Sequence, residues 1–148
     1  MKTGKMDKVA AVAKIAEQQS ARELGKALQS HQEKSAQLDQ LIQFRQDYES
    51  GLGTKGAGGM PAKQLQDYRV FLNKLGDAIA QQSREVETAQ EQLDQVRSQW
   101  LSRSQRKSAL DHLVEERHKT LLQARGKAEQ KESDENSIAR TLLNLDRG

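Results

Sequence analysis

From Leu65 onward, apolar side chains recur at steps of alternately three and four residues, and the register does not break before Leu145. It runs through Tyr68, Leu72, Leu75, Ile79, Gln82, Val86, Ala89, Leu93, Val96, Trp100, Arg103, Lys107, Leu110, Val114, Arg117, Leu121, Ala124, Ala128, Lys131, Glu135, Ile138 and Leu142. Eighteen of these 24 positions are apolar, enough to form one continuous strip on a helix. A strip with a 3.5-residue repeat must be covered by another helix, and the repeat winds the pair into a left-handed coiled coil. The positions between are mostly Gln, Glu, Lys, Arg, Ser and Asp, as expected of a solvated face.

Composition narrows the choice of partner helix. Hydrophobic residues make up 34% of the 148 and aromatics 3%, too little for a broad core but enough for a seam. Charged residues are 30%, typical of long solvated helices. The expected fold is all-α, a single domain over 1–148 in which the chain supplies its own second helix. That helix spans about 6–50. A glycine-rich turn over 51–61 follows, holding five of the ten glycines and the only proline. Helix 2 then spans about 62–125, started by Pro61, whose missing N–H is no loss at a helix N-terminus. On helix 1 the matching register reads Leu24, Leu28, His31, Ser35, Leu38, Ile42, Arg45 and Leu52, with Val9, Val12, Ile15 and Ala16 slightly out of phase. The two helices of a hairpin lie antiparallel. Folding about residue 56 exhausts helix 1 opposite residue 107, so the rest of helix 2 overhangs. After Gly126 the seam reads Ala128, Lys131, Glu135, which predicts a break or fraying and a weakly ordered tail over 126–148, with a short amphipathic piece from Ile138 to Leu145.

Without cysteines there is neither a disulfide framework nor a thiolate metal site. The lysine-bearing N-terminus, with Lys2, Lys5, Lys8 and Lys14, lacks the features of a signal peptide. No stretch approaches the roughly 20 apolar residues of a membrane span. A cytoplasmic protein is expected. The net charge of +3 permits acidic partners or nucleic acid without demanding either.

Several patterns imitate chemistry. Gly51, Gly53 and Gly56 spell G-x-G-x-x-G, but the dinucleotide fingerprint requires a strand before it and a helix directly after, and here a helix precedes it. No phosphate-binding P-loop motif is present. His112, Glu115, Glu116 and His118 contain both metal-binding types, yet the histidines are not spaced i, i+4 as two ligands on one helix face need to be, so a solvated face is the simpler reading. His31 reads as a polar seam residue. With no catalytic constellation and no water-excluding concavity expected on a two-helix fold, the chain reads as not an enzyme, with no cofactor and no metal.

Two features exceed what a plain coiled coil needs. Four of the five aromatics, Phe44, Tyr48, Tyr68 and Phe71, flank the turn. Leu41, Phe44 and Tyr48 form a stripe beside the seam, and Phe71 and Ala78 do the same on helix 2. The apolar face near the turn is wider than a two-stranded seam requires, which marks either a partner site or a tip locked by its own side chains. The second feature is charge. Gln95 to Leu110 holds no acidic residue but carries Arg97, Arg103, Arg106 and Lys107, beside the basic N-terminus in a hairpin. This is either a solvated face or a surface for an acidic partner.

The segments on both sides of the turn, Leu38-Asp39-Gln40-Leu41-Ile42-Gln43-Phe44-Arg45-Gln46-Asp47-Tyr48 and Asp67-Tyr68-Arg69-Val70-Phe71-Leu72-Asn73-Lys74-Leu75-Gly76-Asp77-Ala78-Ile79, resemble the flagellar export protein FliJ family. The resemblance covers about residues 20–120. It implies an antiparallel coiled coil similar to the stalk of rotary ATPases. It further implies a soluble part of the flagellar type III export apparatus that associates with the export ATPase FliI and the export gate FlhA and escorts substrate chaperones. Its place would be cytoplasmic, peripheral to the inner membrane at the flagellar base. Carried over, the gate contacts are Gln37, Leu41, Phe44, Tyr48, Phe71, Leu75, Ala78 and Gln82, and the basic residues Arg97, Arg103, Arg106 and Lys107 would face the ATPase. The equivalent stalk of a virulence-type secretion system and a nucleic-acid-binding coiled coil are the alternatives.

Overall fold

The computed structural model describes residues 3–56 and 59–146; for Thr3 and residues 52–56 it describes the backbone alone. Two helices account for almost all of this: α1 over Thr3–Gly56 and α2 over Ala62–Asp146. Both are rich in Ala, Gln, Glu, Lys, Arg and Leu, which cost a helix little. The helices pack against each other as an antiparallel hairpin. Each level of a hairpin touches only its own level, and the contacts divide into two compact units, residues 18–102 and residues 1–17 with 103–148.

The unit of residues 18–102 contains the turn. On α2 the predicted strip is the covered one: Leu75, Ile79, Ala89 and Leu93 are buried, and Leu65, Tyr68, Leu72, Gln82, Val86, Val96 and Trp100 are half-buried. Opposite them on α1 the covered positions are Ser20, Leu24, Ala27, His31, Lys34, Leu38, Leu41, Arg45 and Tyr48. This corrects the expected register of helix 1. Leu28 is exposed and Ala27 holds its place. Leu41 lies in the seam beside Ile42, and Lys34 beside Ser35. Polar and small residues give α1 little hydrophobic contrast, so its phase is set by the apolar strip of α2 and not by its own leucines. The side chain of Leu52, the last member of the expected register, falls outside the described residues.

The turn is also shorter than expected. α1 continues through Gly51, Gly53 and Gly56. A glycine costs a helix about 1 kcal/mol relative to alanine, which a packed helix absorbs. In the described part of the connection, Gly59 has a φ of 80°, in the left-handed region open to glycine. Pro61 follows at the entry to α2, where its carbonyl accepts the Leu65 N–H at 3.0 Å, the first bond of the new helix. Residues 57 and 58 of the expected turn lie outside the described residues.

In the unit formed by residues 1–17 and 103–148, Met6, Ala10, Ala13 and Ala16 on α1 are covered, as are Lys107, Leu110, Val114 and Arg117 on α2. Val9, Val12 and Ile15, the residues out of phase, are exposed. Arg117 donates from Nη1 to Met6 Sδ at 3.6 Å, and His118 Nε2 lies 3.6 Å from Asp7 Oδ1. Among the described residues the pairing with helix 1 thus reaches residue 118 and not 107, because the turn is centred later than residue 56. From His118 to Asp146 every residue is exposed, yet α2 is unbroken. The expected break over 126–136 does not appear. Gly126, Asp134 and Asn136 are the poor helix formers in a run otherwise of Ala, Lys, Glu, Gln and Ser, and they do not offset the rest.

Burial ranks the seam residues. Leu93 is 3% exposed, so Leu93→Ala should lower stability by about 2–5 kcal/mol. Arg84→Ala, on the outer face, should change it by less than about 0.5 kcal/mol. Ser20 is 0% exposed, and Ser20→Leu should cost about 1–3 kcal/mol by forcing extra volume between the helices. Urea unfolding followed by far-ultraviolet circular dichroism checks all three.

Candidate functional site

Four aromatic rings gather where α1 approaches the turn and α2 leaves it. Phe44 and Tyr48 are one helical turn apart, so both project on one face of α1. Tyr68 and Phe71 do the same on α2. The Tyr48 ring lies between the others, with centroids 4.9 Å from Phe44, 5.7 Å from Tyr68 and 4.7 Å from Phe71. All three pairs are tilted, in the range where ring quadrupoles attract. The Tyr68 hydroxyl donates to the Tyr48 carbonyl at 3.3 Å, which ties the α2 side of the cluster to the α1 backbone. A Cβ at Gly51 would meet that hydroxyl at 3.4 Å, an ordinary van der Waals contact, so the bond does not depend on glycine there.

The cluster is open on one side. Phe44 is 48% exposed and Phe71 39%, while Tyr48 and Tyr68 are half-buried. Farther from the turn, Gln82 Nε2 donates to the Lys34 carbonyl at 3.0 Å and to Gln37 Oε1 at 3.3 Å. Of the eight predicted gate-side residues, the structure joins Phe44, Tyr48 and Phe71 through ring contacts, and Gln37 and Gln82 by a hydrogen bond. Leu75 is 8% exposed and belongs to the seam, where Leu41 is half-buried. Ala78 is exposed. Tyr68, one of the four aromatics flanking the turn but not among those eight, joins the ring cluster from its seam position.

The predicted basic residues fall in different units. Arg97, within residues 18–102, lies 3.9 Å from Asp94 on the helix surface. In the other unit Lys107 lies 4.0 Å from Asp111. There Arg103 and Arg106 join Lys8, Val9, Val12, Ala13 and Ala16 in lining a groove of about 510 Å³, so cationic and apolar side chains share it. His112, Glu115, Glu116 and His118 are exposed, and His118 faces Asp7. Among the described residues no three His, Cys, Asp or Glu side chains come together as metal ligands would. The G-x-G-x-x-G residues form the last turns of α1, a helix C-terminus, where outward carbonyls repel a phosphate.

Fold and site together define a coiled-coil hairpin protein with an open aromatic cluster beside its turn. Comparison with known families makes this specific: residues 1–144 match the family model described as flagellar FliJ protein, and the chain belongs to that family. The flagellar FliJ protein of Escherichia coli (strain K12) is 27% identical over 116 residues, 78% of this chain and 79% of that protein. The flagellar FliJ protein of Salmonella typhi is 28% identical over the same shares. The family is a component of the flagellar protein export apparatus. Among the described residues, no helix is long and apolar enough to cross a membrane.

The Tyr68 hydrogen bond is separable from the ring contacts. Tyr68→Phe keeps the ring and removes the bond, and should lower stability by about 0.5–1.5 kcal/mol in thermal unfolding while far-ultraviolet circular dichroism stays unchanged.

Proposed function

We propose that this chain is a non-enzymatic coupling element of flagellar protein export that joins the export ATPase FliI to the export gate FlhA and escorts substrate chaperones. The observation that carries this reading is the open aromatic cluster. Large aromatic side chains dominate the energetics of interface centres, and Phe44 and Phe71 keep much of their surface uncovered in the folded chain. Gln37, Leu41, Tyr48, Leu75, Ala78 and Gln82 complete the gate-facing side. Leu75 and Leu41 act by holding the face together from the seam, whereas Phe44, Phe71, Ala78 and Gln37 meet the partner. Arg103, Arg106 and Lys107, with Arg97, serve the ATPase. A groove lined by both cationic and apolar side chains suits an acidic surface that also offers apolar side chains. The chain works in the cytoplasm and reaches the inner membrane through the gate. The flagellar names of both relatives favour this reading over the stalk of a virulence-type system.

The test is a binding titration of the folded chain against the cytoplasmic part of the gate, with ATPase binding as control. Phe71→Ala should weaken gate binding by about 2 kcal/mol or more, roughly thirtyfold, with helicity and ATPase binding intact. If both Phe44→Ala and Phe71→Ala bind the gate as the wild type does, the assignment of this face fails. Loss of both partners at once would report unfolding, which circular dichroism on the same sample detects.

A further inference from the structure

The stretch of α2 beyond the reach of α1 has a pattern that its own fold leaves unused. From Lys119 to Asp146 all residues are exposed, so none of the described residues of α1 covers them. The heptad strip nonetheless continues through Leu121, Ala124, Ala128, Lys131, Glu135, Ile138, Leu142 and Leu145. Leu121, Ile138, Leu142 and Leu145 are large apolar side chains open to solvent. An unbroken helix cannot fold back on its own strip, so the strip needs another chain.

The order of residues names that chain. Let two copies of this stretch lie antiparallel, related by a two-fold axis at residue 133. Leu121 then faces Leu145 of the second copy, Ala124 faces Leu142, Ala128 faces Ile138 and Lys131 faces Glu135. Each layer matches an a position with a d position, as antiparallel coiled coils require. Two of the three apolar layers set a small residue against a large one, so volume is even along the seam. The fourth layer turns the two polar residues, which looked like a flaw in the strip, into opposite charges facing each other. The axis makes this pair occur twice. A surface complementary to itself under a two-fold axis is the signature of an isologous dimer. We infer that a second copy of this chain pairs with it tail to tail through residues 121–145, antiparallel, with Lys131 of one copy against Glu135 of the other. The inference does not depend on the gate or ATPase assignments. A copy held this way has its tail strip covered, so self-pairing excludes any other partner from that strip.

Sedimentation equilibrium of the full chain over about 1–300 µM, a range that brackets a weak dimer, at about 0.15 M salt to screen Glu132 and Asp134, tests it. The wild type should show a reversible monomer–dimer equilibrium. Leu142→Asp should abolish it with helicity retained, because Leu142 supports nothing within its own chain. Lys131→Glu and Glu135→Lys alone each set like charges together twice and should weaken the dimer tenfold or more. The double reversal K131E/E135K should restore it. A wild type that stays monomeric throughout the range overturns the inference. So does a dimer indifferent to Leu142→Asp, or one that the double reversal does not restore.

Discussion

The two helices hold each other by a strip about one side chain wide. Everything else in the molecule is conditional on that strip, because among the described residues the buried apolar side chains lie along it. The strip is thin in a specific sense. Among the described residues only Ala13, Leu75, Ile79, Ala89 and Leu93 are buried apolar residues, and the fully buried side chain is Ser20. Small side chains let the backbones approach, and the contact between helices then comes from dispersion along the strip as much as from removal of large apolar area. Stability arranged this way is distributed over levels, with each level depending on its immediate neighbours, as in repeat proteins.

A thin seam also explains how an open aromatic cluster is compatible with a stable fold. Near the turn, the rings of Tyr48 and Tyr68 fill the interhelical space and are joined by the hydroxyl-to-carbonyl bond. Phe44 and Phe71 rest on the outer edge of Tyr48. The seam is closed without them consuming their full surface. The rings that fix the geometry and the rings that remain available are therefore different residues in contact, and the first pair holds the second in place.

What the sequence made legible follows the same division. On α2, large apolar residues alternate with polar ones over many heptads, and the strip could be read from Leu65 to Arg117 except at Arg103, which is exposed while Ser104 is half-buried in its place. On α1 the covered positions include Ser20, Lys34 and Arg45, which carry no hydrophobic signal, and Ala27, which carries less than the neighbouring Leu28, so its phase was off by one at Leu28. Glycines were read as the end of α1, although a packed helix tolerates them; the residue that must be glycine is Gly59, for its φ of 80°. The aromatic face was visible as composition near the turn. Which of its members would be inside, Tyr48 and Tyr68, and which outside, depended on the register between helices and was not available from either helix alone.

Gly59 and Pro61 also decide how many chains make one hairpin. The seam does not record whether its two strands belong to the same molecule. Were the segment between α1 and α2 to become helical, two extended chains could lie antiparallel and form the same layers twice, a domain-swapped pair with no new contacts. Pro61 opposes this by lacking an N–H and by disfavouring the helical conformation at Met60, at about 3 kcal/mol in a helix interior. Gly59 opposes it by accepting the left-handed conformation at no steric cost. Three residues at the bend thus favour closure within one chain, and a change that made them good helix formers would be read out as exchange of strands between molecules.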